Sequence, residues 1–248
     1  MSALFLALAA GAVIGLVLGA LGGGGSVLAV PALIYPLGLT PVAATTAGLV
    51  VVALTSAAAL TGHARDGHVR WGVGLLFAAA GIGPAVLGSA AASHLPADVL
   101  PTAFAVVAVV AAARMLRPGV EAGAVGRVRP GRAAAAGAGL GAMTGVLGVG
   151  GGFLAVPALV SVLGLRMREA VGTSLLVITV NSLAALTVRG GTVDGLDWSV
   201  VAPFTGAAVL GAWDGRRLGA RVRGGTLRQV FAVVLLAVAV CMVAGSVA

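Results

Sequence analysis

Long apolar runs broken by short turns dominate this chain, and they fall into two sets of five. In the first half they cover about residues 3–21, 26–37, 43–61, 72–92 and 98–116; in the second, about 133–147, 153–164, 169–187, 198–214 and 228–247. A helix needs roughly 20 residues to cross a hydrocarbon core of about 30 Å. The last three runs of each half meet that length. The second run of each half, about twelve residues, reaches only about 18 Å as a helix. Runs one and two are therefore expected to form a helical hairpin folded at glycines and lying at least partly within the membrane. Met1-Ser2-Ala3-Leu4-Phe5 places no basic residue before the first run, so it lacks the positive region of a secretory signal and is expected to stay in the mature protein.

The two sets are copies of each other. Gly19, Gly22, Gly24 and Gly25 recur as Gly145, Gly148, Gly150 and Gly151, and Leu28-Ala-Val-Pro31-Ala-Leu33 recurs unchanged as Leu154-Ala-Val-Pro157-Ala-Leu159. Gly11 and Gly15 correspond to Gly137 and Gly141, Ser56 to Ser182 and, after a one-residue shift, Trp71 to Trp198. Self-similarity of this extent marks an internal duplication. The expected domains are a first transmembrane repeat over 1–117, a cytoplasmic linker over 118–132, and a second repeat over 133–248.

Composition narrows the class. The 248 residues are 60% hydrophobic and 9% charged, against about 45–50% apolar and about 25% charged in soluble domains. A water-soluble enzyme or nucleic-acid module is excluded, and no nucleic-acid partner is expected. The formal charge of +8 comes from fifteen basic residues, all Arg. In the first half Arg65 and Arg70 follow run three, and Arg114, Arg117, Arg127, Arg129 and Arg132 follow run five; in the second, Arg166 and Arg168 follow the hairpin and Arg216, Arg217, Arg221, Arg223 and Arg228 precede the last run. The positive-inside rule puts 14 of the 15 Arg in the cytoplasm only if the halves are inverted; Arg189 is the exception. The expected fold is thus an all-α polytopic membrane protein of two inverted repeats, each a Gly-broken helical hairpin plus three transmembrane helices, with both termini external.

Chemistry is sparse. Cys241 is alone, and His63, His68 and His94 lack metal-ligand spacing. No buried carboxylate pair or Ser-His-Asp set appears, so no catalytic residue, metal or cofactor is expected. Asp214 lies beside Arg216 and Arg217, where ion pairing is expected, and Glu169 opens a helix near Arg166. The glycine turns are the strongest binding candidate. Irregular backbone at membrane depth is tolerated where it is buried or lines a cavity, and a helix restarting there points free N–H groups and a positive dipole end at the break. Anions bind at such ends without a basic side chain, and paired discontinuous helices meet at midplane sites in secondary transporters. Candidate anion-binding residues are Gly22, Gly24, Gly25, Ser26, Gly148, Gly150, Gly151 and Gly152, with Pro31 and Pro157 loosening the short helices where an N–H is missing. Gly11, Gly15, Gly137 and Gly141 read instead as packing glycines. Thr45, Thr46, Ser56, Thr173, Ser174, Asn181 and Ser182 in the third runs add hydroxyl and amide groups that serve either an oxyanion or helix–helix hydrogen bonds.

The duplicated Gly-x-x-Gly-x-Gly-Gly followed by Leu-Ala-Val-Pro-Ala-Leu, with Gly172-Thr173-Ser174, resembles the TauE/SafE family of sulfite exporters, within the wider toluene-sulfonate uptake permease group. In the first half Thr46-Ala47-Gly48 stands in place of Gly-Thr-Ser. The resemblance implies a plasma-membrane carrier of sulfite, organosulfonates or related sulfur oxyanions, with a small anion and the lipid bilayer as its partners. Two rivals share these residues: an anion channel, which would conduct above carrier turnover rates, and a non-transporting accessory subunit, in which bulky changes at the glycines would disrupt assembly and leave no flux to lose. The inverted arrangement predicts loop 62–71 in the cytoplasm and loop 188–197 outside, as cysteine accessibility in intact cells would report; both loops on one face would refute it.

Overall fold

The computed structural model describes residues 2–92, 99–116, 129–147, 152–188 and 195–247. Among them are ten helices: α1 Ser2–Leu21, α2 Gly24–Ile34, α3 Pro41–Arg65, α4 Trp71–Ala92, α5 Val99–Leu116, α6 Pro130–Leu147, α7 Gly152–Ser161, α8 Met167–Val188, α9 Trp198–Arg221 and α10 Gly224–Val247. Each corresponds to one apolar run. The largest extensions fall on α3 and α9, which continue into their Arg-bearing ends, so Arg65, Arg216, Arg217 and Arg221 ride on final helical turns.

Local chemistry sets the ends. Thr40 is extended and its hydroxyl accepts from the Ala43 N–H at 3.4 Å, with Pro41 following at the first helical position, where a missing N–H costs nothing. Asp197 caps α9 by accepting from the Ser199 N–H at 3.0 Å. The turns after α2 and α7 close in the same way. Gly38 and Gly164 have φ of 68° and 71°; Leu39 N donates to Leu33 O at 3.1 Å and Leu165 N to Leu159 O at 3.0 Å.

Among the described residues, four stretches are long and apolar enough to cross a membrane: Leu4–Leu21, Val42–Arg65, Trp71–Gly88 and Met167–Thr187. α1 therefore has spanning length, although its run reads as one arm of a hairpin. Conversely α9, 24 residues long, is the least apolar of the long helices, because glycines, Pro203, Thr205 and Asp214 replace large aliphatic side chains along it. The outward faces are apolar: Phe5, Leu87 and Leu210 are each more than 70% exposed, as lipid-facing side chains are.

Helices of one half pack chiefly on helices of the other. α1 lies along α9, α4 along α6, α3 against α8 and α5 against α10. The first two pairs use the same device. Cβ atoms built at Gly11, Gly15 and Gly19 would collide with the carbonyls of Phe204, Ala208 and Ala212; at Gly137, Gly141 and Gly145 they would collide with those of Phe77, Gly81 and Ala85. Each helix thus rides on the bare backbone of its partner. Lipid gives helices no hydrophobic reason to associate, so van der Waals contact through small residues takes over, and close Cα–H to carbonyl approaches add to it. One apolar core cluster gathers Phe77, Phe153, Met115 and Phe231; a second gathers Leu18, Leu33, Val51 and Phe204.

A bulky side chain at these glycines must push two backbones apart. Gly141→Leu is expected to cost at least about 1–3 kcal/mol, read as a lowered midpoint of thermal unfolding in detergent. Gly139, two residues away, has no atom within 4 Å of an added Cβ, and Gly139→Ala should be neutral or stabilising by up to about 1 kcal/mol.

Candidate anion site at the helix breaks

α1 stops because Gly22 turns the chain. Its φ of 78° lies in the left-handed region, which costs other residues about 1–2 kcal/mol, and its N–H closes the helix on Leu18 O at 2.8 Å. The turn is seated on the other half. A Cβ at Gly22 would stand 2.8 Å from Val171 Cγ1 and 2.9 Å from Ser174 Oγ. The Ser174 hydroxyl lies 3.1 Å from the Gly22 carbonyl oxygen and 2.8 Å from that of Val171, donating toward both. After Gly23, α2 begins, with Gly24, Gly25 and Ser26 in its first turn.

The second short helix meets it there. A Cβ at Gly23 would collide with the Gly152 carbonyl and approach Phe153 Cα, so α2 and α7 start against each other. The positive dipole ends of the two helices therefore lie together. α7 is enclosed: Gly152, Phe153, Leu154, Ala155, Val156, Pro157, Leu159 and Val160 are buried. α2 is not, and Pro31 is exposed in an apolar cleft of about 440 Å³ that α1 and α2 form with Ala9, Val13 and Leu28. Both prolines sit inside continuous helices. Gly148, Gly150, Gly151 and the Ser26 side chain lie outside the described residues.

The hydroxyls are placed in different surroundings. Ser174 reaches the break. Ser56 Oγ and Thr179 Oγ1 stand 3.0 Å apart and tie α3 to α8. Thr173 is buried but faces away, its Oγ1 accepting from the Arg70 N–H at 3.1 Å. Thr45 and Thr46 donate to the Val42 carbonyl at 2.9 and 3.2 Å; Thr46 is 17 residues from the inner end of α3 at His63, about 26 Å along the axis, and is not brought to the Gly22 turn. Ser182 is buried, and Asn181 is half-buried with its Oδ1 enclosed and unpartnered. Thr179 and Gly23 join this region without having been singled out from the sequence, and His63 lies beyond it, toward the arginine-bearing end. Gly23 stood within a glycine run already marked; Thr179 and His63 carry no signal until α3 and α8 are paired.

Among the described residues, the ion pairs between halves lie at one end of the bundle. Arg70 pairs with Glu169 at 2.9 Å and Arg216 with Asp66 at 2.8 Å, each across the two halves. Arg168 donates to the Ala220 carbonyl at 2.8 Å and Arg132 to that of Val162 at 3.4 Å. The ion pairing expected for Asp214 is made with Arg217, at 3.9 Å with both side chains more than 60% exposed, a geometry worth little, while Arg216 engages Asp66 instead. Glu169 opens α8 as expected and engages Arg70 of the other half. Among the described residues no group of three or more His, Cys, Asp or Glu could hold a metal ion.

Comparison with known proteins agrees across the chain. Residues 7–242 match the family model described as sulfite exporter TauE/SafE. Two proteins of Xylella fastidiosa, each named a probable membrane transporter protein, are 32% identical (strain 9a5c) and 31% identical (strain Temecula1) over 97% of this chain and 95% of their own length. No solved structure matches.

The Ser56–Thr179 contact should couple the two halves. In a double-mutant cycle of Ser56→Ala and Thr179→Ala, unfolding in detergent should return a coupling near 0.6 kcal/mol, the bilayer average for such bonds; strict additivity would show that each hydroxyl serves only its own helix.

Proposed function

The chain belongs to the sulfite exporter TauE/SafE family, and from that premise we propose that it is a secondary carrier moving a small sulfur-containing oxyanion or organosulfonate by alternating access. It is a membrane transporter and not an enzyme. The observation that carries the substrate reading is the meeting of α2 and α7 at Gly23 and Gly152. Two helix starts aim partial positive charge at one place, and a desolvated anion is the ligand such ends favour. Gly22, Gly24, Gly25, Ser26 and Gly152 supply the backbone of the site, with Gly148, Gly150 and Gly151 as their sequence counterparts. Ser174 holds the first turn in place. Ser56, Asn181 and Ser182 flank it on α3 and α8; Thr45, Thr46 and Thr173 take supporting roles.

In this reading the repeats 1–117 and 133–248 are inverted, joined by a cytoplasmic linker, with three crossings in each and both termini outside a plasma membrane. Two features support it. The α1–α9 and α4–α6 pairs exchange equivalent helices between halves through equivalent glycines. The Arg70–Glu169 and Arg216–Asp66 bridges gather arginines of both halves at one end, as the positive-inside rule asks of one cytoplasmic face. Hairpins entering from opposite sides then meet tip to tip at mid-depth.

Proteoliposomes loaded with sulfite, sulfoacetate, thiosulfate or chloride test the proposal. At least one sulfur oxyanion should exchange in preference to chloride, and Gly23→Val should abolish exchange. Absence of flux and of ligand-induced stabilisation for all four would refute the carrier, and conductance far above carrier turnover would replace it with a channel.

A further inference from the structure

Between the Gly22 turn and the arginine-bearing end stands a titratable side chain to which the carrier reading gives no role. His63 occupies the last turn of α3 and is buried. α8 is notched to receive it: a Cβ at Gly172 would come within 3.3 Å of the His63 Cβ and 2.6 Å of the His68 carbonyl oxygen. The backbone of Gly19, near the end of α1, faces the ring. Gly19 is three residues before Gly22 and Gly172 two before Ser174, so His63 touches both helices that make the Gly22–Ser174 contact. Its ring nitrogens are enclosed, and neither makes a hydrogen bond of ordinary geometry.

Charged groups reach it from two elements and the adjoining turn. From α9, Arg216 crosses Gly62, where a Cβ would collide with the guanidinium, to reach Asp66 at 2.8 Å. In the turn after α3 lie Asp66 itself and His68, whose ring centroid is 6.3 Å from that of His63. On α8, Glu169 is engaged by Arg70. α1 contributes no charge. Two histidines and an aspartate already matched to arginine do not make a metal site, but an imidazole enclosed beside an ion pair can hold one proton.

We infer that His63 is a proton-binding site that couples anion movement to a proton; the inference rests on the anion-carrier reading. The proton comes from water at the arginine-bearing face and adds to the lone pair of the unprotonated ring nitrogen, giving an imidazolium, and that N–H bond breaks to release it to water on the opposite side once the carrier has turned. Its charge lands beside Arg216 and competes for Asp66, loosening the bridge that joins α9 to the end of α3. The same ring bears on Gly19 and Gly172, so the change is delivered one helical turn from the helix break. Bound proton and bound anion offset each other's charge during the crossing.

The test uses the full chain and two independent readouts. In wild-type proteoliposomes an imposed gradient of one pH unit should raise sulfite and thiosulfate accumulation by up to about tenfold, the equilibrium value for one proton per anion. His63→Gln should keep exchange at equal pH and lose the response to the gradient, while His68→Gln keeps both. Separately, the His63 ring resonance of the labelled protein in detergent, assigned by its loss in His63→Gln, should shift as the pH is stepped. A His63 resonance that does not move with pH, or a His63→Gln variant that keeps the gradient response, overturns the proton site. If neither anion moves in wild type, the carrier reading fails, and the resonance alone decides whether His63 binds a proton.

Discussion

A missing Cβ is the condition on which the bundle depends. Along α1 and α9, and again along α4 and α6, one helix lies so close to the next that a single methyl group would enter a carbonyl of its partner. In water such an approach would be one option among several, since burial of large side chains could join helices at greater distance. In lipid that driving force is absent, and the energy comes from many weak backbone contacts that fade steeply with separation. Helix identity is therefore secondary to helix smoothness. α9 can tolerate Thr205, Pro203 and Asp214 because its inner stripe is Ala208, Gly211, Ala212 and Gly215.

That close packing fixes the turns at the helix breaks. With α1 held against α9 through Gly19, the chain reaches Gly22 at one defined place, where Ser174 meets its carbonyl. The two short helices are then positioned by elements of both halves, and neither half contains the region on its own. Every link described across it is a contact between halves: Gly22 with Ser174, Gly23 with Gly152, Ser56 with Thr179. Long helices around short discontinuous ones suit the carrier proposed above, in which they would move as bodies while the breaks change their exposure.

The elements were legible because each follows from a local property, apolar length bounded by turns such as Gly22; the caps at Thr40 and Asp197 emerged only with the structure. The packing role of Gly11, Gly15, Gly137 and Gly141 was legible too, since four-residue spacing of small residues lines one helix face. Partners across the sequence were not. Nothing near Arg216 distinguishes Asp66 from the much nearer Asp214; the choice is made by α9 lying beside α3 and by Gly62 leaving room for the guanidinium. Thr173 and Ser174 are adjacent in sequence, yet about 100° apart around α8, so one braces a turn at the arginine-bearing end and the other the helix break.

The enclosure of α7 bears on how the protein is made. At ten residues it is too short to hold itself across a bilayer, and nearly all of its surface is covered by other helices, α5 from the first half and α6 and α8 from the second. It can leave the polar side of the membrane only once those neighbours provide a place for it. The two halves thus mature together, with the central helix arriving after the walls that surround it.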